Sequence, residues 1–137
     1  MNEVYVLDSF AVLALLGDEP GSEDVTSILR AAQAGTAQVL MSWMNAGEVS
    51  YIVQRRWGRE KVYQVLGTLE ATQIQWVAVA RELALRAAAI KAEHPLAYAD
   101  AFAAALAIQE AGALVTGDPE FEVLVDSVDI RWLPQRA

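Results

Sequence analysis

The stretch from residue 96 to residue 121 decides the fold, and it reads LAYADAFAAALAIQEAGALVTGDPEF. Its almost wholly apolar first part predicts a helix over residues 97–111, which ends at Gly112 as the expected C′ residue. Residues 113–116 then have the pattern of a short buried strand, and a Thr-Gly-Asp-Pro turn follows it. The chain is therefore expected to place a buried helix directly before a buried strand.

Two acidic residues interrupt this apolar stretch. Asp100 lies in the first turns of the predicted helix, and Asp118 follows the predicted strand. An ionised carboxylate among Ala, Phe and Leu side chains is costly to bury unless something compensates its charge. The sequence near Asp100 has too few basic residues to do so, and this carboxylate is therefore expected to need another partner.

The remainder of the chain alternates strands with helices. The predicted strands are Glu3–Leu7, Gln38–Met41, Ile74–Val79 and Asp129–Leu133, and the predicted helices are Phe10–Leu16, Ser22–Ala34, a segment from the N-cap Ser42 to Trp57, Arg59–Thr72 and Arg81–Glu93. Trp132 in the last strand is expected to be buried. This alternation predicts an α/β three-layer sandwich, with a mostly parallel central sheet flanked by helices on both faces.

Length and composition predict one cytoplasmic domain, residues 1–137. The chain shows no internal repeat or linker, and no apolar run reaches membrane-spanning length. Its start, Met1-Asn2-Glu3, lacks the basic residues of a signal peptide. There is no cysteine, which excludes disulfides and thiolate metal sites and fits a cytoplasmic location. The single histidine, His94, cannot form a histidine metal triad or acid/base pair.

The charge balance constrains the function. With 18 acidic and 10 basic residues the formal net charge is −8, which argues against simple binding of a phosphate backbone. Two explanations remain open at this point. Some of the acids are concentrated in a metal-binding pocket, or the protein does not contact nucleic acid.

Four acids are expected to converge at one edge of the sheet. Asp8 and Asp118 directly follow strands, Glu48 lies within two turns of the end of another strand, and Asp100 begins the helix that precedes the strand before Asp118. In open α/β sheets, sites form outside the carboxyl ends of the strands. Clustered carboxylates repel one another unless a cation is bound, and their oxygens suit Mg²⁺ or Mn²⁺.

Each acid also has a simpler local interpretation. Asp8 is typical of a helix N-cap, Asp118-Pro119 is typical of a cap followed by the first helical residue, and Glu48 alone would more often be a solvated helix residue. Caps and solvated acids do not explain Asp100, so the metal site is the favoured interpretation. Gly47, next to Glu48, is interpreted as a mark of close approach by backbone or ligand.

Four segments carry a resemblance to a known family: VLDS at 6–9, NAGE at 45–48, YADA at 98–101 and LVTGDPEF at 114–121. In this order, and at this chain length, they resemble the PIN domain, in particular the single-domain VapC-type ribonuclease toxins of toxin–antitoxin pairs. The resemblance covers nearly the whole chain. It implies a Mg²⁺- or Mn²⁺-dependent endoribonuclease that cleaves RNA, forms a homodimer and is held inactive by a cognate antitoxin protein.

The acids then receive roles as hypotheses. Asp8, Asp100 and Asp118 are expected to be metal ligands, directly or through water. Glu48 is expected to be a further ligand or the group that orients the attacking water. No protein nucleophile is needed for hydrolysis by a metal-activated water. Three polar residues are expected to support this site: Ser9, Asn45 and Thr116.

The densest basic cluster consists of Arg55, Arg56, Arg59 and Lys61, with Trp57 inside it. These residues are a candidate RNA-binding surface, in which the aromatic ring serves for base stacking. A solvated helix end with favourable dipole placement is an equally good interpretation. Contact with an acidic antitoxin segment is a third.

Two other classes of function stay open. The first is a non-catalytic PIN-like protein-binding module, to which an Ala-rich apolar surface is suited but the carboxylate set is not. The second is a small phosphohydrolase with Asp8 as its nucleophile. Such enzymes usually have a second aspartate two residues later, and Phe10 occupies that position here.

Overall fold

The computed structural model describes residues 3–134; the first two and last three residues of the predicted domain, Met1-Asn2 included, lie outside the described residues. The strands are β1 (Glu3–Leu7), β2 (Ala37–Ser42), β3 (Ile74–Val77), β4 (Ala113–Thr116) and β5 (Ile130–Trp132). The helices are α1 (Ser9–Leu16), α2 (Ser22–Gln33), α3 (Trp43–Trp57), α4 (Arg59–Glu70), α5 (Arg81–Glu93) and α6 (Tyr98–Gln109), and a short 3₁₀-helix spans Pro119–Leu124. None of the helices among these residues is long and apolar enough to cross a membrane.

The five strands form one parallel sheet in the order β3-β2-β1-β4-β5. Val6 of β1 pairs with Leu40 of β2 on one side and with Leu114 of β4 on the other. The predicted α/β fold is confirmed, and every pairing between these strands is parallel. The strand order reverses between β1 and β4, which makes the carboxyl ends of these two strands the topological switch point of the sheet.

Alternation along the central strands divides the core between the two faces of the sheet. Val6 packs in a cluster with α5 and α6, whereas the next residue, Leu7, packs in a second cluster with side chains of α1 to α4. Leu114 and Val115 of β4 divide between the two clusters in the same way. Because successive side chains on a strand point to opposite faces, a buried apolar run requires helices on both sides. The three-layer prediction is confirmed.

Helix α6 is the most deeply buried of the helices, since residues 101–107 are all buried. A helix that is apolar all round is typical of a core position. The helix is slightly shorter than predicted, and its C-terminal turn differs. Ala111, with a φ of 51°, takes the left-handed conformation expected of Gly112. Gly112 is required for a different reason, because a Cβ there would lie 2.8 Å from Val4 Cγ1.

The predicted burial of Trp132 is wrong. Its side chain is 37% exposed, and the neighbouring Leu133 is 3% exposed and joins the core instead. The edge strand β5 alternates its side chains across the sheet, so a shift of one residue exchanges which of two apolar neighbours is buried. The third strand also ends earlier than predicted, at Val77 rather than Val79.

Candidate metal centre

Asp8 follows β1 and is held on both of its carboxylate oxygens. Oδ1 accepts a hydrogen bond from the Ala11 N–H (2.8 Å), which makes Asp8 the N-cap of α1 as predicted. Oδ2 accepts a hydrogen bond from the Thr116 hydroxyl (2.5 Å). The side chain is buried, with 1% exposure. Asp8 is therefore both a helix cap and a carboxylate of fixed orientation at the switch point.

Thr116 links the acid after β1 to the acid after β4. Its hydroxyl oxygen, besides donating to Asp8, accepts a hydrogen bond from the Asp118 N–H (3.0 Å). Asp118 Oδ1 in turn accepts from the Glu120 N–H (2.9 Å) and caps the 3₁₀-helix. The local cap interpretation of Asp118 is thus correct for one oxygen. The chain of hydrogen bonds also brings Asp8 and Asp118 to one point at the end of the sheet.

Asp100 lies in the first turn of α6 and is 8% exposed. Within residues 3–134, its carboxylate accepts no hydrogen bond and pairs with no basic side chain. Its pKa is raised to about 8, first by burial and then by four negative neighbours: Asp118, Asp8, Glu48 and Glu120. The described residues thus supply no positive charge that compensates this carboxylate, in agreement with the expectation from the sequence.

The pKa of Asp8 is also raised, to about 7, and burial is the main cause. The hydrogen bonds from Thr116 and Ala11 lower it. The negative charges of Asp118 and Glu48 raise it further. The acids of the switch point therefore lie close enough together for their charges to interact.

Glu48 reaches this pocket from the third helix. It is half-buried on α3, and its charge raises the pKa of both Asp8 and Asp100. The predicted N-cap Ser42 starts α3 by accepting a hydrogen bond from the Asn45 N–H (3.2 Å). Gly47, beside Glu48, is exposed, and a Cβ there would meet nothing within 4 Å. The interpretation of this glycine as a close approach of the backbone is therefore wrong.

The three supporting polar residues are all buried, but they contact protein groups rather than an open pocket. Thr116 bonds Asp8, as described above. Ser9 donates its hydroxyl hydrogen to the backbone carbonyl of Asn45 (3.3 Å). The Asn45 amide donates to the backbone carbonyl of Ala99 (3.0 Å). Ser9 and Asn45 thus join α1, α3 and the first turn of α6, whereas Thr116 orients the Asp8 carboxylate from β4.

A fifth acid, Glu120, belongs to the cluster and was missed by the sequence analysis. Asp100, Asp118 and Glu120 each offer a carboxylate oxygen, and these oxygens lie within 4.8 Å of one another. Glu120 is exposed and lies two residues after Asp118. The signal was present in the Asp-Pro-Glu sequence, because a cap followed by proline predicts a helical turn, which keeps Glu120 close to Asp118.

The residues present fit a hard divalent cation. The donors are all carboxylate oxygens, the ligand type that Mg²⁺ and Mn²⁺ prefer. The buried Asp100 carboxylate has no partner of its own among the described residues. The only ion pair in that part of the chain joins Arg81 to Glu82 on the surface. A cation at this point would compensate charges that no basic side chain of residues 3–134 compensates.

The basic cluster lies away from these acids. Arg55 is seven residues beyond Glu48 on α3, about 10 Å along the helix axis. Its guanidinium lies over the Tyr51 ring (5.0 Å), and that of Arg56 lies over the Trp57 ring (5.8 Å). Arg59 and Lys61, in the first turn of α4, are exposed as well. Arg55 and Arg56 therefore contact aromatic rings, and among residues 3–134 none of the four basic residues forms an ion pair with an acid of the pocket.

Comparison with known proteins identifies the fold and the family. The sequence matches the PIN domain family over residues 5–126. Comparison with curated proteins gives no match. Among solved structures, VapBC2 of Rickettsia felis bound to a promoter DNA fragment is similar with a TM-score of 0.76 and 15% identity, covering 96% of this chain and 99% of that chain.

Two further structures share the fold. DNA-bound VapBC of Salmonella typhimurium has a TM-score of 0.71 and 17% identity, covering 96% of this chain and 98% of that one. VapC20 of Mycobacterium tuberculosis, described as a sarcin–ricin loop cleaving toxin, has a TM-score of 0.67 and 17% identity, covering 88% and 94%. At these identities the structural likeness shows the fold. The family match, which spans most of the sequence, shows that this chain belongs to the PIN domain family.

Proposed function

We propose that this protein is a metal-dependent endoribonuclease and the toxin of a type II toxin–antitoxin pair. The observation that carries the proposal is the buried, unpartnered carboxylate of Asp100 among four other acids at the switch point of the sheet. Membership of the PIN domain family supports it. Further support comes from similar structures, which include VapBC complexes and a VapC described as cleaving the sarcin–ricin loop.

Three residues would hold Mg²⁺ or Mn²⁺: Asp8, Asp100 and Asp118. When bound, the ion would polarise the scissile phosphate and lower the pKa of a water molecule for attack in line. Asp8 binds with a fixed orientation because the Thr116 hydroxyl and the Ala11 N–H each hold one of its oxygens. Glu48, whose charge acts on both Asp8 and Asp100, would bind the ion as a further ligand or accept a hydrogen bond from the attacking water. Burial keeps bulk water from the Asp8 side chain, whereas the Asp100 carboxylate oxygens stay accessible from the pocket.

For the substrate, we propose RNA that contacts the cluster Arg55, Arg56, Arg59 and Lys61, with Trp57 available for stacking. The positive charges lie on the surface at the end of α3 and the start of α4, where a backbone could pass them. Removing one cation that neutralises a phosphate should reduce the salt dependence of single-stranded RNA binding by about 0.7 in log K per log salt. Glutamine at all four positions with unchanged affinity and salt dependence would rule out this surface.

We further propose a cognate antitoxin as the protein partner, a homodimeric state and a cytoplasmic location. The similar structures include VapBC assemblies, which supports a protein partner for this fold. Three exposed aromatic side chains on α3 and α4 offer an apolar surface for such contacts: Tyr51, Trp57 and Tyr63. Co-expression with a neighbouring small reading frame, followed by size-exclusion chromatography with light scattering, would test the partner and the dimer together.

The cleavage experiment uses purified protein with Mg²⁺ or Mn²⁺ and a panel of tRNA, mRNA and ribosomal RNA fragments. Asp8→Asn and Asp100→Asn keep the side-chain size but remove the ligand charge, and both should fold and lose cleavage by at least about 100-fold. Glu70→Gln, an exposed acid on α4, is the matched control and should cut normally. Full activity in both aspartate variants would overturn the assignment.

The same exposed aromatic side chains favour a second candidate, a non-catalytic protein-binding module. A metal titration separates the two functions. A scaffold has no need to bind Mg²⁺ or Mn²⁺, whereas the nuclease must bind one of them through Asp100. A folded wild-type protein that binds neither ion would leave the binding module as the better function.

A further inference from the structure

We propose that a pocket between α1, the loop after it and the end of α3 binds one base of the RNA beside the scissile phosphate, and that this base is guanine. The inference rests on the proposed function and deepens it, because it assigns a base preference that the acids alone do not specify. The cavity has a volume of about 200 Å³ and is lined by Phe10, Leu13, Ala14, Glu19, Pro20 and Arg56.

Phe10 connects this pocket to the acids. It lies two residues after Asp8, and its ring packs against Gly117, the residue before Asp118. A Cβ at Gly117 would lie 2.7 Å from Phe10 Cζ, so the ring occupies the space that a side chain there would need. The same ring therefore contacts the turn that carries Asp118 and lines the pocket. A nucleotide whose base enters the pocket thus has its phosphate beside the acids.

The walls of the pocket suit a flat, uncharged ring. Phe10, Leu13 and Ala14 are spaced i, i+3 and i+4 on α1, so their side chains share one face of the helix. Pro20 adds an apolar group from the loop. Proteins that read single-stranded RNA stack its bases on aromatic side chains, and the half-buried ring of Phe10 offers such a surface. A mostly apolar cavity with a few polar groups is typical of a site for a small ring system.

Arg56 supplies the group that distinguishes one purine from the other. It is exposed near the end of α3, its guanidinium lies over the Trp57 ring (5.8 Å), and within residues 3–134 it forms no ion pair. A guanidinium has only donors, which are arranged as a planar fork. Guanine offers this fork two adjacent acceptors, O6 and N7, whereas adenine has a donor beside N7. Arg56 therefore favours guanine over adenine.

Glu19 argues against a phosphate group as the occupant. Its carboxylate lines the same cavity as the Arg56 guanidinium, and a phosphate there would meet a like charge. A base is uncharged, and the amino group of guanine at N2 is a donor that a carboxylate accepts from. An apolar side chain of a protein partner would use the walls of the pocket but neither charged group. The chemistry of the lining therefore favours a base.

The test is binding of labelled hexaribonucleotides, measured by fluorescence anisotropy in EDTA so that the probes stay intact. One probe is hexauridylate, and the other three carry a guanine, adenine or cytosine at the third position. Arg56→Lys keeps the charge but loses the bidentate fork. Phe10→Leu keeps an apolar side chain but removes the aromatic ring. Arg86→Lys, at an exposed position on α5, makes the same change as Arg56→Lys and is the matched control.

Wild type should bind the guanine probe at least about fivefold more tightly than the other three, which is the discrimination expected of one bidentate contact. Arg56→Lys should reduce this ratio to about one and keep the salt dependence of binding, because the charge remains. Phe10→Leu should weaken binding of the guanine probe at least about fivefold through lost stacking. Arg86→Lys should keep the wild-type ratio. Equal affinity of wild type for all four probes would overturn the base pocket, as would a guanine preference that persists in Arg56→Lys.

The two proposals fail in distinguishable ways. Cleavage sites mapped on the RNA panel with Mn²⁺ should have guanine beside the cut in wild type and lose this preference in Arg56→Lys. If both proteins cut at the same sites, the base pocket is overturned and the nuclease function stands, whether or not the probes bind in EDTA. If folded wild type neither binds the probes nor cuts any RNA of the panel, both proposals are overturned.

Discussion

The side-chain amide of Asn45 donates a hydrogen bond to the backbone carbonyl of Ala99, the residue before Asp100 (3.0 Å). The Asn45 amide oxygen accepts from the Ser42 hydroxyl (2.6 Å), and its backbone carbonyl accepts from the Ser9 hydroxyl (3.3 Å). One buried residue on α3 thereby joins α1, which follows Asp8, to α6, which carries Asp100. The relative position of the acids depends on this connection.

Replacing Asn45 with alanine should therefore weaken the fold at the site. The Ala99 carbonyl and the Ser42 hydroxyl would each lose a buried partner, and each unsatisfied group costs about 1–3 kcal/mol. We expect the free energy of unfolding in urea to fall by about 2–6 kcal/mol, the sum for the two groups. Ser50→Ala is the control, because the Ser50 hydroxyl bonds only within α3, to the Ala46 carbonyl. Equal losses in the two variants would contradict the connecting role of Asn45.

Metal-free protein should become less stable as the pH rises. The pKa of Asp100 is about 8 in the folded state against an ordinary value near 4, so the folded protein binds more protons than the unfolded chain between these values. The stabilising contribution is complete below about pH 4 and is lost as the pH approaches about 8. Between about pH 5 and pH 7 we expect a loss of up to about 1.4 kcal/mol per pH unit from this residue, with Asp8 acting in the same direction.

Urea denaturation in EDTA across this pH range measures the effect, and Asp100→Asn should flatten the curve. Saturating Mg²⁺ should stabilise the wild type most at high pH, where the ionised carboxylates bind the ion. Asp126→Asn, an exposed aspartate outside the cluster, is the control and should keep the wild-type pH dependence. A flat curve for wild type in EDTA would show that these carboxyl groups titrate normally.

Thr116→Val should preserve the strand and damage the site. Valine has the shape of threonine but cannot donate to Asp8 Oδ2 or accept from the Asp118 N–H. Loss of such an orienting group should lower Mn²⁺ affinity by about 10- to 100-fold. The pKa of Asp8 should also rise further, because the Thr116 hydrogen bond lowers it. Calorimetry and a carboxyl NMR titration measure the two effects, and Thr116→Ser should restore both because it keeps the hydroxyl.

Replacing Gly112 and Gly47 with alanine should change the free energy of unfolding in opposite directions. At Gly112 a Cβ would lie 2.8 Å from Val4 Cγ1 and 2.9 Å from the Val4 carbonyl oxygen, so Gly112→Ala should cost about 1–3 kcal/mol. At Gly47, exposed within α3, a Cβ meets nothing within 4 Å, and Gly47→Ala should add about 0.5–1 kcal/mol. Urea unfolding of the two variants, in parallel with wild type, measures whether each substitution lowers or raises the free energy of unfolding. Stabilisation at Gly112 would contradict the close packing of β1 against the end of α6.

The two incorrect predictions, the burial of Trp132 and the role of Gly112, have the same physical cause. Trp132 and Leu133 are adjacent apolar residues, and only the register of β5 against β4 decides which of them is buried. The end of α6 was assigned to Gly112 from its usual conformational role, whereas contact with Val4 is what excludes a side chain there. Both errors concern contacts between segments that are distant in sequence.

Some residues of the candidate site were predictable from the local sequence, whereas others depend on contacts between distant segments. Asp8, Asp100 and Asp118 were predicted because their positions after strands, or in an apolar helix, are local properties of the chain. Glu120 was missed because it is an ordinary exposed acid until the 3₁₀-helix turns it towards Asp100. Asn45 was expected to support the site, but its contact with Ala99, which spans 54 residues, could not be predicted from the local sequence.

The sequence by itself determined the α/β class, the order of the elements and the presence of an uncompensated acid in a buried helix. These follow from local periodicity, caps and the cost of burying a charge, which act within one segment. Only the tertiary structure decided which acids share one pocket, which hydrogen bonds orient them and which aromatic residues stay exposed. Those outcomes depend on strand order and register, because the carboxyl ends of β1 and β4 meet at the switch point only once the sheet has formed.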